Sequence, residues 1–210
     1  MKAGDAARSE RQEICDLLME VGPEAPTLCS GWTTRDLAAH LVIREGRPDA
    51  ALGILGGPLS SYAQSVQDQA AARPWPELVR AVRMGPPAYS PMRYADGLAN
   101  LFEYAIHHED VRRAQPEWQP RVLPAGEQDI LWSRLQRAAR LLARRCPVGL
   151  VLQRGDTGER IVAKKGARTV TLVGEPLEML LRLYGRREVV LDVRGDESAV
   201  QAFESARFGV

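Results

Sequence analysis

Apolar positions recur at helical spacing through the first two thirds of the chain and switch to alternation near residue 147. Ile14, Leu17, Leu18 and Val21 follow the i, i+3, i+4, i+7 pattern, which predicts an amphipathic helix over residues 3 to 22. Gly22-Pro23 ends it. Thr33 stands three residues before Asp36, an approximate capping box. In the helix that follows, Leu37, His40 and Leu41 share one face, so His40 is expected to point inward. Gly46, Pro48, Gly53 and Gly56-Gly57 break or bend the chain. Residues 60 to 72 and 76 to 84 read as helices split by Pro74 and Pro76, and Met84 to Pro91 as a loop.

The next helix, from about 95 to 114, is apolar around most of its girth at Leu98, Leu101, Phe102, Ala105, Ile106 and Val111. An arc that wide predicts burial. Its polar stripe is Glu103, His107 and Asp110. Polar groups on a buried helix need partners, because each unpaired one costs roughly 1–3 kcal/mol. A linker from Gln115 to Gly126, with Pro116, Pro120 and Pro124, precedes a basic amphipathic helix at 127 to 145. After Cys146-Pro147 the period becomes two. GLVLQRGD, ERIVAKK, RTVTLVG and EVVLDVRGD read as strands, with Asp156-Thr157-Gly158 as a hairpin turn between the first two. Helices are expected from Pro176 to Tyr184, ended by Gly185, and over ESAVQAFESARF. Helices therefore precede a small α+β unit. This predicts two domains, residues 1–146 and 147–210.

Composition narrows the function classes. The 210 residues suit one large or two small domains, and 45% hydrophobic content supports a core. A net charge of +1 carries no signature of a nucleic-acid partner. Cys15, Cys29 and Cys146 are too few and too widely spaced for a disulfide framework and read as free thiols of a reducing cytosol. Cys29, close to Trp32 and without a histidine neighbour in sequence, reads as structural. Apolar runs fall short of a membrane span or a signal peptide, so the expected location is cytoplasmic, with no membrane partner. No Gly-x-Ser-x-Gly, Walker or Rossmann signature is present.

The candidate chemistry lies in FEYAIHHEDVRR, residues 102 to 113. Glu103 and His107 are four apart, on one helix face and one turn from each other. With His40 they offer two imidazoles and a carboxylate, a three-ligand set that leaves positions open on a divalent metal, as catalytic sites do. The competing reading is a helix-local ion pair for Glu103 and His107, and a hydrogen-bonded core histidine for His40. His108 points about 100° away from His107, so His107 is the preferred ligand. Asp110, at i+3 from His107, and Asp36, four before His40, could accept imidazole N–H groups behind the ligands. Local surface contacts would explain them equally well. Arg44 and Arg47, one and two turns beyond His40, could draw an anionic substrate to the metal. Otherwise they are solvated or paired.

Two segments carry a family resemblance. CSGWTTRDLAAHL, residues 29 to 41, resembles the C-x-G-W-[ST]-x-x-D-L-x-x-H-L segment of the mycothiol-dependent maleylpyruvate isomerase family, and EYAIHHEDV, residues 103 to 111, resembles that family's E-x-x-x-H-x-x-D motif. The order of the two motifs matches as well. The family belongs to the DinB/YfiT-like metalloenzymes, and an actinobacterial metal-binding branch of it is the nearest in pattern. The resemblance implies an all-α DinB-like four-helix bundle. GEPLEMLLRLYGRREVVLDVRGD resembles the small α+β, sterol-carrier-protein-like domain that follows the bundle. It implies that His40, Glu103 and His107 hold a metal, typically zinc, with nickel or iron as alternatives. It implies mycothiol as cosubstrate and an enzyme that activates such a thiol for transfer or isomerisation of an anionic substrate. A metal-dependent hydrolase and a non-catalytic small-molecule binding protein or sensor remain the alternatives, and a homodimer is compatible with either. Residues 60–84 and 85–97 are where a substrate pocket would differ.

Overall fold

The helical spacing at the start of the chain folds into α1 (Ala3–Val21), which buries Ala7, Ile14, Cys15 and Leu18 and stops at Gly22 with φ of 81°. The computed structural model describes residues 2–54, 59–90 and 99–208. These form a helical part followed by a mixed four-stranded sheet with helices. The second helix, α2 (Thr34–Gly46), opens on the expected capping box: Thr33 Oγ1 accepts from the Asp36 backbone N–H, and Asp36 Oδ2 accepts from the Thr33 N–H at 2.9 Å. Replacing Thr33 by Ala should cost about 1 kcal/mol of stability in a denaturant titration.

One helix was not expected. The segment read as a break forms α3 (Pro48–Ile54). Pro48 stands at its first position, where a missing N–H costs nothing, and Asp49 favours the first turn. Helices α4 (Ser60–Ala71) and α5 (Trp75–Met84) follow the pattern, and α6 (Ala99–Arg112) is buried over almost its whole described length. Leu98 and the segment 91–97 lie outside the described residues. Ile14, Leu18, Leu37, Leu41, Leu78, Val82, Tyr104 and Val111 pack into one core drawn from α1, α2, α5 and α6.

The chain divides into two compact units, Lys2–Gln119 and Pro120–Val210. The division falls before α7 (Ala125–Leu142), not after it as the change of period near residue 147 had led us to expect. The reason is where α7 spends its contacts. Its buried Gln128 donates to Glu175, and its Asp129 accepts from Arg154 of the sheet at 2.6 Å. Strand β1 (Gly149–Arg154) pairs antiparallel with β2 (Arg160–Lys164) and parallel with β3 (Thr169–Gly174), and β4 (Asp192–Arg194) pairs antiparallel with β3. The crossover from β2 to β3 passes under the start of β1. A Cβ on Gly166 would lie 2.5 Å from the Gly149 nitrogen, so this return needs glycine. The fourth strand is shorter than EVVLDVRGD suggested. The Val190 N–H is taken by the Glu178 carboxylate of α8 (Pro176–Leu183) at 2.8 Å rather than by the ladder. Helix α9 (Glu197–Ser205) packs on β3, and Leu150, Leu172, Leu180 and Phe203 are fully buried in this unit. Among the described residues no helix is long and apolar enough to cross a membrane.

Candidate metal centre

Three segments of the helical unit build the site. Helix α6 presents Glu103 and His107 one turn apart, and α2 brings His40 to them. The Nε2 atoms of His40 and His107 lie 3.1 and 3.2 Å from one oxygen, Glu103 Oε1. A tetrahedral ion with bonds of about 2.1 Å holds its ligand atoms roughly 3.4 Å apart. Each nitrogen therefore already stands near ligand spacing from the carboxylate oxygen, the three atoms all lie within 4.8 Å of one another, and donors of this kind fit a zinc-like divalent ion. The imidazole rings meet edge to face with centroids 5.2 Å apart, and Trp32 packs against His40 at 5.1 Å.

The surroundings of the set decide its charge. Asp110 Oδ2 lies 2.9 Å from His107 Nδ1, so both ring nitrogens of His107 face carboxylates. Burial alone would lower the His107 pKa, but hydrogen bonds with Asp110, Cys29 and Glu103 outweigh it and hold the pKa well above the ordinary value. Burial likewise disfavours charge on Glu103. Hydrogen bonds from His107 and His40, together with the positive charge of Arg44, outweigh it and keep the carboxyl well below the usual range. His40 goes the other way: burial lowers its pKa more than Glu103 raises it. Without a metal, these directions favour an imidazolium at His107, a neutral His40 and a carboxylate at Glu103.

The chain has fold relatives among solved structures. No protein-family description fits the chain, and no curated protein matches it. The fold is similar to that of mycothiol-dependent maleylpyruvate isomerase. Crystal structures of that enzyme and of a histidine-to-alanine mutant of it each match with a TM-score of 0.60 and 15% identity, over 91% of this chain and 91% of that one. At that identity the likeness is one of fold.

The remaining sequence candidates separate cleanly. Asp36 does not stand behind His40. It is spent on the Thr33 cap, and His40 Nδ1 is buried with no partner among the described residues, so the ring is held by its Nε2 contact with Glu103 and by packing against Trp32. Arg44 is at the site, its Nε 3.3 Å from Glu103 Oε1 and its Nη1 donating to Asn100 Oδ1 at 2.8 Å. Arg47 is not. It pairs with Asp49 and Tyr62 on the surface. His108 turns to α1, where its Nδ1 lies 2.8 Å from Glu10 Oε2.

Sequence reasoning missed Cys29, which it read as structural. The Leu28 N–H donates to the Asp110 backbone carbonyl at 3.0 Å and the Gln115 side-chain amide to the Pro26 carbonyl at 3.2 Å, and these bonds bring the loop before α2 onto the end of α6. Cys29 Sγ then donates to Asp110 Oδ2 at 3.2 Å and lies 3.8 Å from His107 Nδ1. The signal in the sequence was its place at the head of the C-x-G-W segment, three residues ahead of Trp32.

Proposed function

We propose that the protein binds one divalent metal through His40, Glu103 and His107 and uses it to activate a low-molecular-weight thiol, of the mycothiol type, for transfer or isomerisation of an anionic substrate. The observation that carries this reading is the convergence of two buried imidazole nitrogens on one carboxylate oxygen. The fold likeness to an enzyme that depends on mycothiol supports the choice of thiol. We read the helical unit as a DinB-like four-helix bundle and the second unit as sterol-carrier-protein-like on the same likeness.

Each residue has a defined task in this reading. Asp110 accepts from His107 Nδ1 and so turns Nε2 toward Glu103. Arg44, held by Asn100, fixes the Glu103 carboxylate. Trp32 closes over the His40 ring. With the His107 proton exchanged for a divalent ion, the three ligands and the ion would carry net positive charge, partly offset by Asp110 behind His107, and that charge would lower the pKa of a thiol or a water toward neutrality.

The proton matters for affinity. His107 has a raised pKa and must lose its proton to become a ligand, whereas Glu103 and His40 are shifted so that neither carries a competing proton near neutrality. Metal affinity is thus expected to be flat above the His107 pKa and to fall about tenfold per pH unit below it. Calorimetry in buffers of different ionisation enthalpy should count one proton released per ion. Release of none would mean that His107 is not a ligand.

The functional test is to load the purified protein with zinc, confirm the content, and titrate mycothiol. Heat of binding that disappears in His107→Ala supports thiol activation. A zinc-loaded protein that gives no heat with mycothiol is instead a metal-dependent hydrolase or a binding protein. A protein that retains no zinc, nickel or iron ends the metal reading altogether.

A further inference from the structure

The second unit contains a pocket of about 570 Å³ where β3 runs into α8 beside the start of α7. Its apolar wall is formed by Leu123, Val173, Pro176 and Val190. Its ionisable lining is of one sign: Asp156, Glu175, Glu178 and Asp192, with no lysine, arginine or histidine. Two of these acids already have cations. Arg154 grips Asp156 at 2.9 and 2.5 Å, and Arg194 pairs with Asp192 at 2.7 Å. Glu178 is spent on the Val190 N–H. Glu175 differs: among the described residues its partner is the Gln128 side-chain amide, a neutral donor.

Gln128 supplies the second, independent observation. It is 6% exposed and lines the pocket, and its Oε1 is buried with no partner among the described residues. A buried amide oxygen without a donor is destabilising, and here it sits on the same side chain that touches a carboxylate lacking a cation. One ligand group satisfies both, a nitrogen that donates hydrogen bonds and carries positive charge. The N-terminus of α8 also opens here and by itself would favour an anion. Pro176 removes one of its donors, and Glu175 and Glu178 stand at its first turn, so the local charge is negative.

We propose that this pocket is a binding site for a small organic ammonium ion with an apolar body, the cation on Glu175 and Gln128 and the body against Leu123 and Val190. It lies wholly within the second unit and does not depend on the metal centre.

Phenethylamine, phenethyl alcohol and hydrocinnamate share one apolar body and differ in head-group charge. Titrated into the full-length protein at neutral pH, the amine should bind saturably, with the alcohol and the carboxylate at least about tenfold weaker, since a charged hydrogen bond is lost in each. Glu175→Gln should erase the preference for amine over alcohol. Glu175 is exposed, and its side chain does not cap α8, so this variant should fold. Gln128→Leu keeps the carboxylate, removes the acceptor, and should weaken the amine by roughly threefold to tenfold. Equal binding of amine and alcohol, preference for the carboxylate, an unchanged preference in Glu175→Gln, or no saturable binding by any of the three would overturn the proposal.

Discussion

Replacing His107 by Ala is expected to weaken metal retention by on the order of a hundredfold or more, the share of one ligand in a site of this kind. Metal content after dialysis against a weak chelator measures it. The neighbouring substitution gives the contrast. His108→Ala should leave retention intact, because His108 faces Glu10 on α1 and takes no part in the set around Glu103. Both rings are buried, so a change in general packing cannot by itself separate the two variants. Circular dichroism should find the second unit folded in each, because no residue of the metal set belongs to it. If His108→Ala loses metal and His107→Ala keeps it, the ligand assignment is reversed.

How much of this was legible depended on the range of the interaction involved. The 3.6-residue period is local, so the inward face of α2 and the pairing of Glu103 with His107 across one turn could be read directly. Thr33 and Asp36 form a cap within one turn and were equally readable. That same cap is why Asp36 could not serve His40, since one carboxylate oxygen already holds the Thr33 N–H and hydroxyl. Cys29 was illegible because its position depends on long-range bonds, from Leu28 to Asp110 and from Gln115 to Pro26. Arg44 and Arg47 are three residues apart and look alike in sequence. Only the place of Asn100 on α6, against that of Asp49 and Tyr62 on the surface, tells them apart. The unit boundary was misplaced for a related reason. Periodicity reports that α7 is amphipathic but not which partner its apolar face meets, and Asp129 and Gln128 join it to residues beyond 150.

Within the run His107-His108-Glu109-Asp110 all four side chains are buried, and each turns to a different neighbour. Glu109 turns to the arginines that follow it. Its carboxylate takes the Arg113 Nε and, at 2.9 Å, the Arg112 Nη1, while the Arg113 guanidinium stacks over Trp118 at 4.6 Å. The side chains of Glu109 and Arg113 are both fully buried. A buried pair adds little net stability when intact, because desolvation offsets the attraction, but removing one charge strands the other. Glu109→Gln keeps the shape and removes the negative charge that faces the buried Arg113 guanidinium. The expected loss is about 3–5 kcal/mol. That corresponds to a fall in Tm of roughly 10 °C or more for a unit of this size. Metal retention measured below the new Tm should match the parent protein, because Arg112 and Arg113, which pair with Glu109, lie outside the set around Glu103. A variant that is equally stable would show that water or a shifted arginine replaces the lost charge. A variant that is stable but loses metal would place Glu109 in the centre beside Asp110.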